Sequence, residues 1–143
     1  MDTNFTPDKK RELFGPGPWV DEPDRVEWRA HGFVCLVRRS PMGNLCGYVG
    51  VPPEHPWHGK SFEDIEAFAH GSLTYAGPRA DEPEHRYWVG FDAGHAFDLV
   101  PELAKLGGGL YEDGWSTYRD IEWMKAEVEQ LAAQAAAAEA PRG

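Results

Sequence analysis

In 143 residues, 14 lysines and arginines stand against 24 aspartates and glutamates, and the resulting formal charge of −10 argues against a sequence-independent grip on DNA or RNA phosphates. Six Trp, five Tyr and seven Phe can fill one modest core, while 16 Gly and 12 Pro predict short elements and many turns. No apolar run approaches the ~20 residues that span a bilayer, no charged-then-apolar start suggests a signal peptide, and two cysteines are too few for a disulfide scaffold, so a cytoplasmic single domain is expected.

Residues 1–24 are polar and proline-punctuated, and read as an irregular arm with one helical turn near Lys9 to Phe14, stopped by Gly15-Pro16-Gly17-Pro18. From Val26, apolar Val26, Trp28 and Ala30 alternate with charged residues, the period of a half-exposed strand. The run Phe33–Val37 predicts a buried strand, and Leu45–Val51 its antiparallel partner across a turn at Ser40-Pro41. Ser61 followed by Asp64 opens a short helix to Ala69, stopped by Gly71. Ser72–Ala76 and Arg86–Phe91 predict a second hairpin around a charged exposed loop, and a short turn follows near Phe97–Leu106. Ile121, Met124, Val128, Leu131 and Ala135 then mark an amphipathic helix that begins near Ser116 or Thr117. The expected fold is α+β: an antiparallel sheet of four or five strands packed on a long C-terminal helix, over residues 25–135, with a frayed tail at 136–143.

Pairing of Ser72–Ala76 with Arg86–Phe91 sets Tyr75 near Trp88 and brings His70-Gly71 beside Asp92-Ala93. His95 and Asp98 follow Asp92 at steps of three and would share its face if that stretch turns helically. His70, Asp92, His95 and Asp98 thus form a candidate set for a divalent metal or for acid–base work. The plainer reading is that Asp92 caps a turn and His70 bonds the last carbonyls of a helix. Trp88 shares a strand face with Gly90 and Asp92, and the small glycine leaves room where a flat ligand could stack, unless these rings are simply core.

Cys35 and Cys46 are cross-strand neighbours if the first hairpin turns at Ser40-Pro41, and in a reducing compartment they remain buried thiols. No Cys-x-x-Cys and no Ser-His-Asp signature is present, and Gly107-Gly108-Gly109 lacks the lysine and context of a phosphate loop. His55-x-x-His58 has metal-ligand spacing in a loop. Arg38 and Arg39 at the hairpin tip, with Arg119 at the start of the last helix, are the anion-contact candidates, a solvent-face salt bridge being the plain alternative for Arg119. Trp123 lies opposite the apolar stripe, which hints at a second contact surface and a homodimer.

The segments Cys46-Gly47-Tyr48-Val49, His70–Tyr75, Trp88–Asp98 and Tyr118-Arg119-Asp120 occur in an order that resembles a family of small proteins in tailed-phage and prophage genomes. The resemblance spans Asn44 to Ala132, and Ser72 stands where that family tends to have a second glycine. It implies a phage setting inside a host cytosol and carries no activity with it.

Three functions are consistent with these residues. The leading expectation is an accessory protein holding a small polar, nucleotide-derived ligand through His70, Tyr75, Trp88, Asp92, His95 and Arg119, in a counter-defence role. A metal-dependent hydrolase at His70, Asp92, His95 and Asp98 is the second. The third is an acidic inhibitor of a host nucleic-acid-binding protein, which the scattering of acidic residues over arm, loop and helix disfavours. The expected partner is therefore a small molecule or a host protein, with no membrane and no direct contact to nucleic acid.

Overall fold

The computed structural model describes residues 5–79, 82, 86–94, 98–106 and 117–139. Five strands, β1 (Arg25–Ala30), β2 (Phe33–Arg39), β3 (Leu45–Val51), β4 (Tyr75–Gly77) and β5 (Tyr87–Asp92), form one antiparallel sheet in the order β1-β2-β3-β5-β4. The helices are α1 (Pro7–Phe14), α2 (Pro101–Leu106) and α3 (Ile121–Glu139).

Strand alternation divides the sheet into two apolar faces. Cys35 and Val37 of β2, Leu45 and Val49 of β3, and Val89 and Phe91 of β5 point to the inner face. There they meet Ile121, Met124, Val128, Leu131 and Ala135, the stripe legible in the sequence of α3. Gly47 is what lets α3 approach, since a Cβ there would lie 2.5 Å from a Val128 methyl. α3 starts later than expected, at Ile121, where Asp120 caps it: its side chain accepts from the Trp123 N–H at 2.9 Å. The helix then runs unbroken to Glu139, past the point where fraying was expected.

Val34, Leu36, Tyr48 and Trp88 form a smaller cluster on the outer face, with Cys46 and Tyr75 packed beside it. The β4–β5 connection, expected as an exposed loop, lies across this face in its described part. Arg79 stacks on Tyr48, and Glu82 reaches Arg25 of β1 at 2.7 Å. β1 and β5 are separated by two strands, so this ion pair spans the sheet.

The N-terminal segment is more ordered than an irregular arm. Thr6 caps α1 by accepting from the Lys9 N–H, and Pro7 occupies the first turn, where its missing N–H costs nothing. Phe14, Trp19 and Val20 pack with Leu99 in a third apolar cluster. The helix expected over 61–69 contracts to one 3-10 turn at Phe62–Asp64, and the chain then extends to a turn at Ala69–Ser72.

Both hairpin registers differ from expectation, with different consequences. The β2–β3 loop is five residues, closed by Ser40 N–H donating to Asn44 O at 2.8 Å, with Gly43 at φ 96°. Cys46 therefore pairs with Arg38, and Cys35 with Val49. A three-residue displacement is odd, so it turns the two thiols to opposite faces and rules out their bonding. In the β4–β5 pair, Tyr75 sits opposite Gly90 instead of Trp88, a slip of two that leaves every side chain on its expected face.

Candidate functional site

The expected meeting of His70 with Asp92 does not occur. β4 begins only at Tyr75, so His70 lies outside the ladder, in the turn that closes with Ser72 N–H on Ala69 O. Its ring packs edge-on against Trp123 of α3 with centroids 4.8 Å apart, on the inner side of the sheet. Asp92 lies on the outer face with Gly90 and Trp88, paired with Cys46 and accepting from the Gly94 N–H at 2.9 Å. His95 falls outside the described residues, as does Gly107-Gly108-Gly109. Among the described residues no group of three His, Cys, Asp or Glu side chains could hold a metal ion. The described members of that set, His70, Asp92 and Asp98, do not form such a group.

His70 and Arg119 do converge, on Asp98. The Asp98 side chain has no solvent exposure; His70 Nε2 lies 2.8 Å from its carboxylate and Arg119 Nε 3.0 Å. Arg119 also lies over the Trp123 ring at 4.7 Å, so the indole expected on an exposed dimer surface is packed between two cationic-capable groups. A buried carboxylate needs such partners to stay ionised. The cluster ties the 70-turn, the start of α2 and the N-terminus of α3 together, which is a structural task.

A second buried polar joint was not legible in the sequence. Arg39, expected at an exposed tip, donates through Nε to Asp24 at 2.6 Å and through Nη2 to Glu22 at 3.0 Å. Its Nη1 reaches Gly43 O and the Tyr118 hydroxyl, each at 2.8 Å. Lys10 adds a second cation on Asp24 at 3.0 Å, and Glu22 accepts from the Ile121 N–H at 2.8 Å, at the first turn of α3. Two cations face two carboxylates, so the buried charge balances. Burial lowers the pKa of Arg39, but Tyr118, Asp24 and Glu22 reverse this and hold it above its ordinary value. Burial, with Glu22 adjacent, raises that of Tyr118 against the pull of Arg39.

His55 is likewise structural. Its Nε2 donates to Ala135 O and its Nδ1 accepts from the Trp57 N–H, both at 2.9 Å, which leaves no ring lone pair for a metal. His58, its supposed partner, stacks on Tyr87.

The outer face carries a concave arrangement of cationic and aromatic side chains. A cleft of about 250 Å³ is lined by Arg38, Arg39, Ser40, Pro41, Cys46, Tyr48 and Arg79. The strand period places Arg38, Cys46, Tyr48 and Asp92 on this face. The Arg79 guanidinium lies 4.6 Å from the Tyr48 ring centroid and 5.5 Å from that of Tyr75. The two tyrosines meet edge to face at 5.8 Å. Burial pushes the Cys46 thiol up to about 11, Asp92 adds to this, and Arg79 and Arg38 pull the other way. All three charged groups therefore act on one sulfur at the cleft floor, and the thiol stays protonated near neutrality.

The room expected above Gly90 is already taken: a Cβ there would lie 2.3 Å from Tyr48 Cδ1 and 2.5 Å from the Gly47 carbonyl oxygen. Trp88 is fully buried and cannot stack a ligand where it sits, and its indole nitrogen has no hydrogen-bond partner among the described residues. Of the expected ligand-binding residues, Tyr75 lies beside Arg79 and Asp92 is paired with Cys46, neither lining the cleft itself, while His70 and Arg119 are engaged at Asp98 on the opposite side. Compared with known proteins, the chain matches no protein-family model, no curated protein and no solved structure.

Proposed function

We propose that the protein binds a small anionic ligand in the outer-face cleft, as a binding protein and not through covalent chemistry. The observation that carries this reading is the placing of Arg38 and Arg79 around one cleft, against the Tyr48 ring, in a chain of net charge −10. In so acidic a protein, cations gathered at a concave site need a reason. The planar guanidinium matches the geometry of an oxyanion, and stacking on an aromatic ring fixes its orientation. Tyr75, expected to stack a ligand, and Asp92, expected to make a polar contact, lie next to lining residues of this cleft, while His70 and Arg119 act as scaffold. The resemblance to phage proteins supports a setting in which such a site withdraws a host metabolite or signal.

The test compares charged molecules with their neutral counterparts: phosphate, AMP and cyclic dinucleotides against glycerol and adenosine, by thermal shift and calorimetry at low salt. Binding confined to the anions, and weakened by Arg79→Gln, supports the reading. Equal responses to neutral and charged molecules, or none to either, overturn it.

A further inference from the structure

We infer that β1 is an interface for a second copy of this chain: two β1 strands pair antiparallel about Trp28 and join two sheets edge to edge. This stands independently of the anion cleft.

The backbone is the first argument. β1 and β4 are the edges of the sheet, and β4 is only three residues long. The Arg39 N–H donates to Asp24 O at 2.8 Å, which fixes the phase of the β1–β2 ladder. Val26, Trp28 and Ala30 therefore turn their N–H and C=O groups towards β2, while Arg25, Glu27 and Arg29 turn theirs outward. No described residue bonds those outward groups. Sheet edges are often blunted by a proline or a bulge, yet β1 has no proline and its six residues pair with β2 without interruption.

The side chains are the second argument. Val26, Trp28 and Ala30 form an apolar row on the α3 side of the edge, each only half-buried. On the outer face Arg25, Glu27 and Arg29 alternate in sign, and this selects one register. Centring the pair on Arg25, Glu27 or Arg29 sets like charges against each other. Centring it on Val26 sets Arg29 against Pro23, which has no N–H to donate. Centring it on Ala30 runs into the turn at His31-Gly32, where φ is 52° and 86°.

Centring on Trp28 meets none of these obstacles. Glu27 then faces Arg29 of the partner subunit, and Arg29 faces Glu27 of the partner subunit, with both residues exchanging backbone hydrogen bonds. Val26 lies opposite Ala30, and Trp28 meets its own copy in the closer, non-hydrogen-bonded kind of pair. Both charged groups have capacity left. Glu27 accepts from Arg25 through Oε1 alone, at 3.0 Å, and the exposed Arg29 makes one long bond through Nη2, at 3.3 Å to Gly32 O. The contact is isologous and closed, so it ends at a dimer.

Sedimentation equilibrium of the intact chain up to about 1 mM, paired with amide hydrogen exchange at low and high concentration, tests this. The expected result is a reversible dimer of twice 16.0 kDa. As it forms, the Glu27 and Arg29 N–H groups should become protected while that of Arg25, which falls opposite the turn, should not. Arg29→Glu and Glu27→Arg should each weaken the dimer about tenfold, because two cross-strand pairs become repulsive. The double variant Glu27→Arg/Arg29→Glu should restore it. Both side chains are exposed, so the variants retain the fold. A monomer at every concentration, a dimer that leaves Glu27 and Arg29 unprotected or protects Arg25 with them, or a double variant that fails to recover overturns the proposal.

Discussion

Arg39 and Asp24 meet at 2.6 Å, joining the end of β2 to the segment that follows α1. Glu22 and Lys10 complete the joint, and Glu22 also holds the first N–H of α3. The N-terminal segment is thus fastened to both sheet and helix by balanced buried charge. Arg39→Met removes one cation and leaves Asp24 and Glu22 with Lys10 alone. A loss of about 3–5 kcal/mol is expected, read from the urea midpoint. Deleting residues 1–20 should destabilise the domain as well, through the loss of Phe14, Trp19 and Val20 from their cluster.

Asp98 gives a second prediction. Since its carboxylate is shared by His70 and Arg119, the two partners should not act independently. His70→Ala and Arg119→Ala should each cost about 1–3 kcal/mol. In a double-mutant cycle their coupling should exceed about 0.5 kcal/mol. Additive losses in chemical unfolding would show that Asp98 does not link them.

Ser72 sits at φ 77°, in the left-handed region, immediately after Gly71 at φ 66°. A side chain there costs about 1–2 kcal/mol relative to glycine, less the greater freedom of glycine in the unfolded chain. Ser72→Gly should therefore raise stability by roughly 1 kcal/mol.

The thiols predict an alkaline limit. Burial lifts both Cys35 and Cys46 from the ordinary 9.0 to about 11. A folded value above the unfolded one means that their contribution is complete below pH 9 and is lost as pH rises through 11. Stability should fall across that window, and Cys46→Ala should flatten the fall. Urea titrations at closely spaced pH values measure it.

The α+β class, the positions of four of the five strands and the buried stripe of α3 were readable because apolar periodicity reports them directly. Register was not, because it depends on loop length: Arg38 and Arg39 continue β2, and the turn needs Ser40–Asn44 in full. That extension is what moves Arg39 into its ionic joint and Cys46 to the face opposite Cys35. The His70–Asp98 contact links a turn to a chain segment 28 residues away. The sequence supplied both residues but paired His70 with Asp92, on the assumption of a longer β4. Arg79 gave no local signal at all, since its place on Tyr48 follows from a loop crossing the sheet.

The most direct measurement is an amide ¹H–¹⁵N titration of the folded protein with inorganic phosphate. Saturable shifts centred on Arg38, Cys46, Tyr48 and Arg79, absent in Arg79→Gln, are the predicted result. Shifts centred on His70, Arg119 and Trp123, or scattered linear drifts with no saturation, would contradict an anion site between β2, β3 and Arg79.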